Sequence, residues 1–335
     1  MLTDRRATLL NLIVQDYVDT AQPVGSKALG SKHALDVSPA TIRIEMSRLE
    51  EDGFISQPHT SAGRVPSDKG YRYYVESLMS EESLPWAERE MIRHQFHQAE
   101  RAMEQWFQLA AAVLAHSVGN FAVVTSPRSK ETRLRHVQLV PLHETSALCV
   151  VVLNEARIRQ QVMGFREPVE QSVLTVVANR VNERYGGLSA GEMRQHPLPE
   201  SEIEAATVRV TSDLMDQESI ALGEVFRDGV REVLSQPEFA RSERILELID
   251  VLEQRTLSSA IPVRELTDAG INVVIGAENQ HEAMRECSIV VARYGQDGGP
   301  SGVVAVLGPT RMRYSRTIPT VRFLSSLLGD LVAQI

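Results

Sequence analysis

Apolar residues recur at helical spacing through the first eighty positions, but in short runs, each with its own start and stop signal. In DRRATLLNLIVQDYVD (4–19), Leu10, Ile13, Val14 and Tyr17 share one face and predict a first helix. Pro23 and Gly25 interrupt that pattern, and a short second helix is expected over about 26–33. After an LDV turn comes SPATIRIEMSRLEEDG (38–53), where Ser38 can cap the free N–H groups and Pro39 suits the first helical position. Ile42, Met46 and Leu49 form a stripe that can be buried, and Thr41, Ile44, Glu45 and Arg48 fall on the opposite side. Gly53 stops this third helix. In FISQPHTSAGRVP (54–66), apolar Phe54, Ile55 and Val65 flank a polar loop containing glycine, the pattern of a two-stranded hairpin. Ser67 then caps a further helix through GYRYYVESLM.

Beyond residue 80 the periodicity changes. SEESLPW (80–86) marks a linker, taken as 81–87, and a long helical pattern follows over 88–118, through Met91, Phe96, Met103, Phe107 and Leu114. NFAVVTS (120–126) is a strand. Three strand-like runs at about 135–142, 146–153 and 157–165 predict an antiparallel sheet, and helical patterns then dominate to about 235. A helix around 238–255, strands near 272–276, 286–293 and 301–307, and a closing amphipathic helix from about Pro319 complete the chain. These last strands make only half a sheet, so they are expected to complete the one begun by NFAVVTS. That makes 133–236 an insertion within a domain formed by 88–132 and 237–335. The expected class is α+β.

The order helix, short helix, tight turn, helix, hairpin is that of a winged helix-turn-helix, whose chemistry is DNA recognition. A duplex major groove admits one helix, with base edges in reach of its N-terminal side chains and phosphates in reach of its flanks. Thr41, Arg43 and Ile44 are the candidates for bases, Ile44 by apolar contact with a thymine methyl. Lys27, Thr60, Arg64, Lys69 and Arg72 are the candidates for phosphates, with Arg64 at the hairpin tip also able to enter a minor groove. Ser38 and Arg48 complete the candidate set. Against this stands a plainer arrangement, in which Arg43, Arg48 and Arg72 pair with Glu45, Glu50, Asp52 or Asp68 on a solvated face. Residues 1–80 carry nine Lys and Arg against ten Asp and Glu, so this is not a generic basic nucleic-acid binder. Useful affinity at physiological salt would need base contacts and two copies on a two-fold site.

GSKAL, VSPATIR, QPHTSAGRVPSDKGYRYYV, IGAENQHEAMRECSIV and VLGPTRMRY together resemble the heat-inducible transcription repressors of the HrcA family. The resemblance runs over almost the whole chain, densest at 18–79 and 273–333. It implies a winged helix (1–80) followed by a GAF-like domain interrupted by an inserted dimerisation domain. It further implies a homodimer on an inverted-repeat operator upstream of chaperonin and Hsp70-class operons, with the chaperonin as the partner that keeps the repressor active. Many members carry Asn-Asp inside the third helix, where this chain has Ile44-Glu45.

The remaining features narrow the classes. With 43% apolar and 24% charged residues over 335 positions, this is an ordinary globular chain with room for two or three domains. No apolar run approaches a membrane span and the N-terminus lacks a signal-peptide core, so a cytoplasmic protein is expected. Cys149 and Cys287 lie far apart in apolar stretches, as buried reduced thiols do. His281-Glu282-Ala283-Met284-Arg285 begins like a zinc-protease motif but has Arg where the second His is needed, and His94 and His97 sit on a polar face. GQDGGPSG (295–302) lacks the Lys-Ser/Thr of a phosphate loop and reads as a hairpin turn. No enzyme and no cofactor is expected. The alternative function is a winged-helix regulator whose GAF-like part senses a small ligand, and the apolar character of the closing strands disfavours it.

Overall fold

The computed structural model describes residues 2–35, 37–59, 62–99, 102–129, 132–154, 157–220, 223–239, 261, 270–295 and 299–334. The chain divides into two compact units, one made of 1–127, 222–296 and 301–335, the other of 128–221 with 297–300.

The first unit begins with three helices, α1 (Asp4–Thr20), α2 (Ser26–Lys32) and α3 (Pro39–Glu51). They form because each has an apolar stripe to bury: Leu10, Ile13 and Val14 on α1, Leu29 on α2, and Ile42, Met46 and Leu49 on α3 meet in one core. Each such side chain contributes roughly 1.5–3 kcal/mol by leaving water. A ribbon of β1 (Ile55–Ser56) and β2 (Val65–Pro66) follows, antiparallel, with Ile55 opposite Pro66. Ser67 caps α4 (Asp68–Tyr73) by accepting the Gly70 N–H at 3.1 Å, and α4 widens into a π turn, Tyr74–Leu78.

Two helices, α5 (Trp86–Gln98) and α6 (Met103–Val118), occupy the region where one was expected, with Ala99 and Ala102 both extended between them. A sheet follows. The main path of this six-stranded sheet comprises β3 (Phe121–Thr125), β8 (Val225–Asp228), β9 (Ile271–Ile275), β10 (Cys287–Gly295) and β11 (Pro300–Pro309), in the order β8-β3-β11-β10-β9, each neighbouring pair antiparallel. NFAVVTS is therefore completed by the C-terminal strands, with Val124 opposite Val304, as the half-sheet argument required. Both faces are buried: Val124, Val290, Val304 and Val306 join the helical core, and Phe121, Val123, Ile289, Val291, Ala305 and Leu307 pack on the other side with Val233 of α10 (Val230–Leu234). The GQDGGPSG stretch joins β10 and β11, and HEAMR contributes a 3-10 turn at Glu282–Met284. Of the helix expected at 238–255, residues 240–255 lie outside the described residues.

The closing helix α11 (Tyr314–Val332) starts five residues before Pro319, which it contains. Proline removes the N–H that would bond Ser315 O, and the Glu82 N–H takes that carbonyl instead at 2.9 Å. Together with Glu81, whose carboxylate meets Arg322 at 2.9 Å, this fixes the stretch expected to be a plain linker.

The second unit holds β4 (Arg128–Ser129), a three-stranded antiparallel sheet of β5 (Leu134–His143), β6 (Ser146–Leu153) and β7 (Ile158–Gly164), and helices α7 (Gln171–Tyr185), α8 (Ala190–Gln195) and α9 (Glu202–Ile220). Alternation decides the faces: Val137, Leu139, Cys149, Val151 and Met163 point inward onto Val177, Val181 and Met215. This unit spans 128–221 where an insertion over 133–236 was expected, and β8 and α10 belong to the first unit's sheet and core. Four residues of alternating exposure were too weak a signal among helices.

Candidate nucleic-acid interface

Ser38 sits with extended backbone ahead of α3, and its Oγ accepts the Thr41 N–H at 3.2 Å and lies 3.0 Å from Thr41 Oγ1. With Ile42, Met46 and Leu49 seated, Ala40, Arg43 and Ile44 are left exposed and Thr41 half-buried. Ile44 is 56% exposed, a large apolar side chain presented outward beside a guanidinium. Ser47 donates its hydroxyl to Arg43 O at 3.1 Å and so spends its donor within the helix. Arg43 itself, like Lys27 on α2, is exposed and forms no ion pair among the described residues.

Glu45 is on the wrong side of the expected pattern. Only 9% exposed, it belongs to the seated face, where Arg6 of α1 donates from Nε at 3.0 Å and Arg48 lies at 3.4 Å. Arg6 also reaches Asp52 at 3.2 Å, so one guanidinium pins both halves of α3 to α1. Arg6 was not among the sequence candidates. The signal was present: 42, 45, 46 and 49 are all one stripe, and a carboxylate on a buried stripe requires a cation. A second contact that the sequence did not suggest joins α2 to α1, where Asp16 accepts from Lys32 at 2.5 Å and lies 3.0 Å from His33 Nε2.

The phosphate candidates fare unequally. Arg64 is not at a tip: its backbone pairs with Val24 in both directions, and its side chain folds onto Glu50 of α3 at 2.8 Å. Gly63 beside it has no room for a side chain, since a Cβ would lie 2.5 Å from the Val24 carbonyl carbon. Lys69 caps the carbonyl end of α3, donating to Asp52 O at 2.7 Å, with its ammonium 4.5 Å from the Phe54 ring centre. Arg72 points into the sheet domain, donating to Val273 O at 2.6 Å and to Glu278 at 2.9 Å. Pairing with Glu278 pushes its pKa up, consistent with a permanently charged tie. Arg48 stays half-exposed beside Glu45, and Thr60 lies outside the described residues. Of the three arginines in the plainer arrangement only Arg48 takes an expected partner, Glu45; Arg72 is paired with Glu278 instead, and Arg43 forms no ion pair among the described residues.

Cys149 and Cys287 are buried free thiols; burial pushes them up to about 11 and about 12. No helix of the described residues is long and apolar enough to cross a membrane.

Residues 104–318 match the family model described as the HrcA protein C terminal domain. A heat-inducible transcription repressor HrcA of Roseiflexus castenholzii is 42% identical over 343 residues, covering 100% of this chain and 95% of that protein. One from Dehalococcoides mccartyi is 40% identical, covering 100% and 97%. The crystal structure of a hypothetical protein, 23% identical, matches the fold with a TM-score of 0.58 over 100% of this chain and 99% of the other. With full-length identity of this order added to the family-model match, the chain belongs to the HrcA family of heat-inducible transcription repressors.

Proposed function

We propose that this chain is a transcriptional repressor of chaperonin and Hsp70-class operons, and that residues 1–80 are a winged helix-turn-helix that lays α3 in the major groove of an inverted-repeat operator. The observation that carries this is the division of α3, with one face seated by Ile42, Glu45, Met46 and Leu49 and the other presenting Arg43 and Ile44 to the outside. Arg43 is a bidentate donor of the type that reads guanine, and Ile44 offers an apolar contact to a thymine methyl. Lys27, at the start of α2, is the candidate for a flanking phosphate, and Thr41 and Ser38 lie where the helix N-terminus would approach the backbone. Arg64, Lys69 and Arg72 leave the contact set. A purified chain that protects no inverted repeat upstream of chaperone genes would end this assignment.

A second copy is the partner we assign to the 128–221 unit. In its sheet, the face turned away from α7 and α9 carries apolar rows in register, Val140 opposite Leu148 opposite Val162 and Val152 opposite Ile158, with Gln138, Val150 and Gln160 in the row between them and His136 beside Val152. Ile158 and Val162 are 61% and 58% exposed. An apolar sheet face of this kind costs free energy in water and fits an isologous contact with its own copy. Two heads on one operator gain by tethering what each lacks in charge.

Regulation is assigned to chaperonin dependence. The GAF-like sheet closes only when β3 finds β11 and β8 across the inserted unit, which makes its contacts non-local and its folding slow. A fraction of unfolded repressor that needs chaperonin would lose activity when unfolded protein competes for it. The small-molecule alternative rests on a cavity of about 350 Å³ lined by Asp19, Asn120, Arg311, Arg313 and Arg316 among others. The DNA-competent fraction at fixed repressor concentration, with and without ATP-driven chaperonin, separates the two: a rise supports chaperonin dependence, and no rise together with release by a metabolite extract supports the cavity.

A further inference from the structure

Two of the segments that mark the resemblance, GAENQ (276–280) and the PTRMRY of 309–314, lie far from α3 along the chain, and neither has a part in the exposed face of that helix. Both end on the first eighty residues. At one point Asp68, the first residue of α4, accepts the Ala277 N–H at 2.8 Å, and Arg72 one turn later reaches Val273 O and Glu278. Glu278 is itself oriented by the Ile275 N–H at 2.8 Å. The seat is tight: Gly276 has a φ of +55°, and a Cβ there would lie 2.3 Å from the Asp68 carboxylate. At the other point Arg311 donates to Val18 O of α1 at 3.1 Å, and Arg313 meets Asp19 at 3.1 Å. Between them the Tyr71 and Tyr314 rings pack with centres 6.1 Å apart, inside a single apolar cluster that runs from Ile42 and Leu49 to Val306 and Leu324.

Six charged side chains take part in these ties, Asp68, Arg72 and Glu278 at one point and Asp19, Arg311 and Arg313 at the other. Ion pairs at partly exposed positions contribute little stability, but two separated ties at either side of the Tyr71–Tyr314 contact restrict how the head can turn on the sheet. We propose that Asp68 and Arg72, held by residues 273–278, are positioning residues that fix the reading head on the GAF-like sheet, and so set which spacing between operator half-sites the protein accepts. This rests on the assignment of a two-headed repressor. Half-sites must face the heads on the same side of the duplex, so each added base pair rotates one of them by about a tenth of a turn. A rigid joint rejects that rotation. A loosened one accepts it and loses part of the tethering gain on the parent site.

The test uses the full-length chain with Glu278→Gln, Asp68→Asn and the pair combined, on three duplexes: the parent inverted repeat, the same repeat with two base pairs added to the spacer, and a single half-site. The combined variant is expected to bind the half-site as the wild type does, to lose about tenfold on the parent repeat, and to lose most of its preference for parent over lengthened spacer. Glu278→Gln alone approaches the joint from the sheet side and leaves the head untouched; it is expected to shift the spacing ratio in the same direction. An unchanged spacing ratio, with two-headed binding by the wild type intact, overturns the proposal, as does equal loss on half-site and parent, which would mean the ties hold the head together rather than place it. A wild type that binds half-site and full repeat alike would remove the two-headed assignment itself, and the spacing role with it.

Discussion

Replacing one thymine in each operator half-site by uracil removes only a methyl group, and Ile44 makes that removal measurable. The side chain is 56% exposed on free α3, so it has apolar surface to bury against a base. A methyl group taken from water is worth about 0.8 kcal/mol, close to fourfold in affinity at one half-site. Two half-sites on a symmetric dimer double the free energy to about 1.6 kcal/mol, or roughly fifteenfold. Competition gel shifts with operators uracil-substituted one symmetric position at a time should show this loss at one position, and the loss should vanish in Ile44→Ala. Ile44→Asn is expected to bind the uracil operator as it binds the parent. If no position responds, or if Ile44→Ala responds as strongly as the wild type, Ile44 does not read a thymine.

Three other outcomes are expected. Arg6→Ala leaves the buried Glu45 carboxylate only the half-exposed Arg48 at 3.4 Å and should cost about 2–3 kcal/mol in the opening of α3, measured by hydrogen exchange, against under about 0.5 for Arg48→Ala; equal costs would remove Arg6 as the pin. With their thiols pushed up to about 11 and about 12 and no access from solvent, Cys149 and Cys287 should resist iodoacetamide at pH 8 in the native chain and react only in guanidinium; rapid native labelling would refute their burial. Ile158→Asp with Val162→Asp should yield monomers by light scattering, and an unchanged dimer would move the interface off the β5-β6-β7 sheet.

The helices and ribbon of the first eighty residues were legible because capping and stop signals accompany each apolar stripe: Ser38 with Pro39, Ser67, and Gly53 all act as their chemistry suggests. The break between α5 and α6 was not legible. Phe96 and Phe107 are separated by about three full turns, so the apolar phase carries through it. Pro319 misled in the other direction, since the rule that proline opens a helix ignores a donor supplied from elsewhere, here Glu82. In the candidate site, the outward placement of Arg43 and Ile44 followed from periodicity, which also set Glu45 outward, where pairing with Arg6 seats it instead. The fates of Arg64, Lys69 and Arg72 did not, because their partners Glu50, Asp52 O and Glu278 are brought near by the tertiary fold. A cation counted as free in a sequence is free only if no carboxylate or carbonyl folds onto it.

Footprinting of the purified chain on the chaperone promoters of its own genome, beside Arg43→Ala and Thr41→Ala, tests whether α3 is the reading element. Protection of an inverted repeat by the wild type, weakened at least fivefold in Arg43→Ala as the loss of one bidentate contact worth about 1–3 kcal/mol requires, is the expected result. No protected repeat, or protection equal in all three proteins, would contradict it.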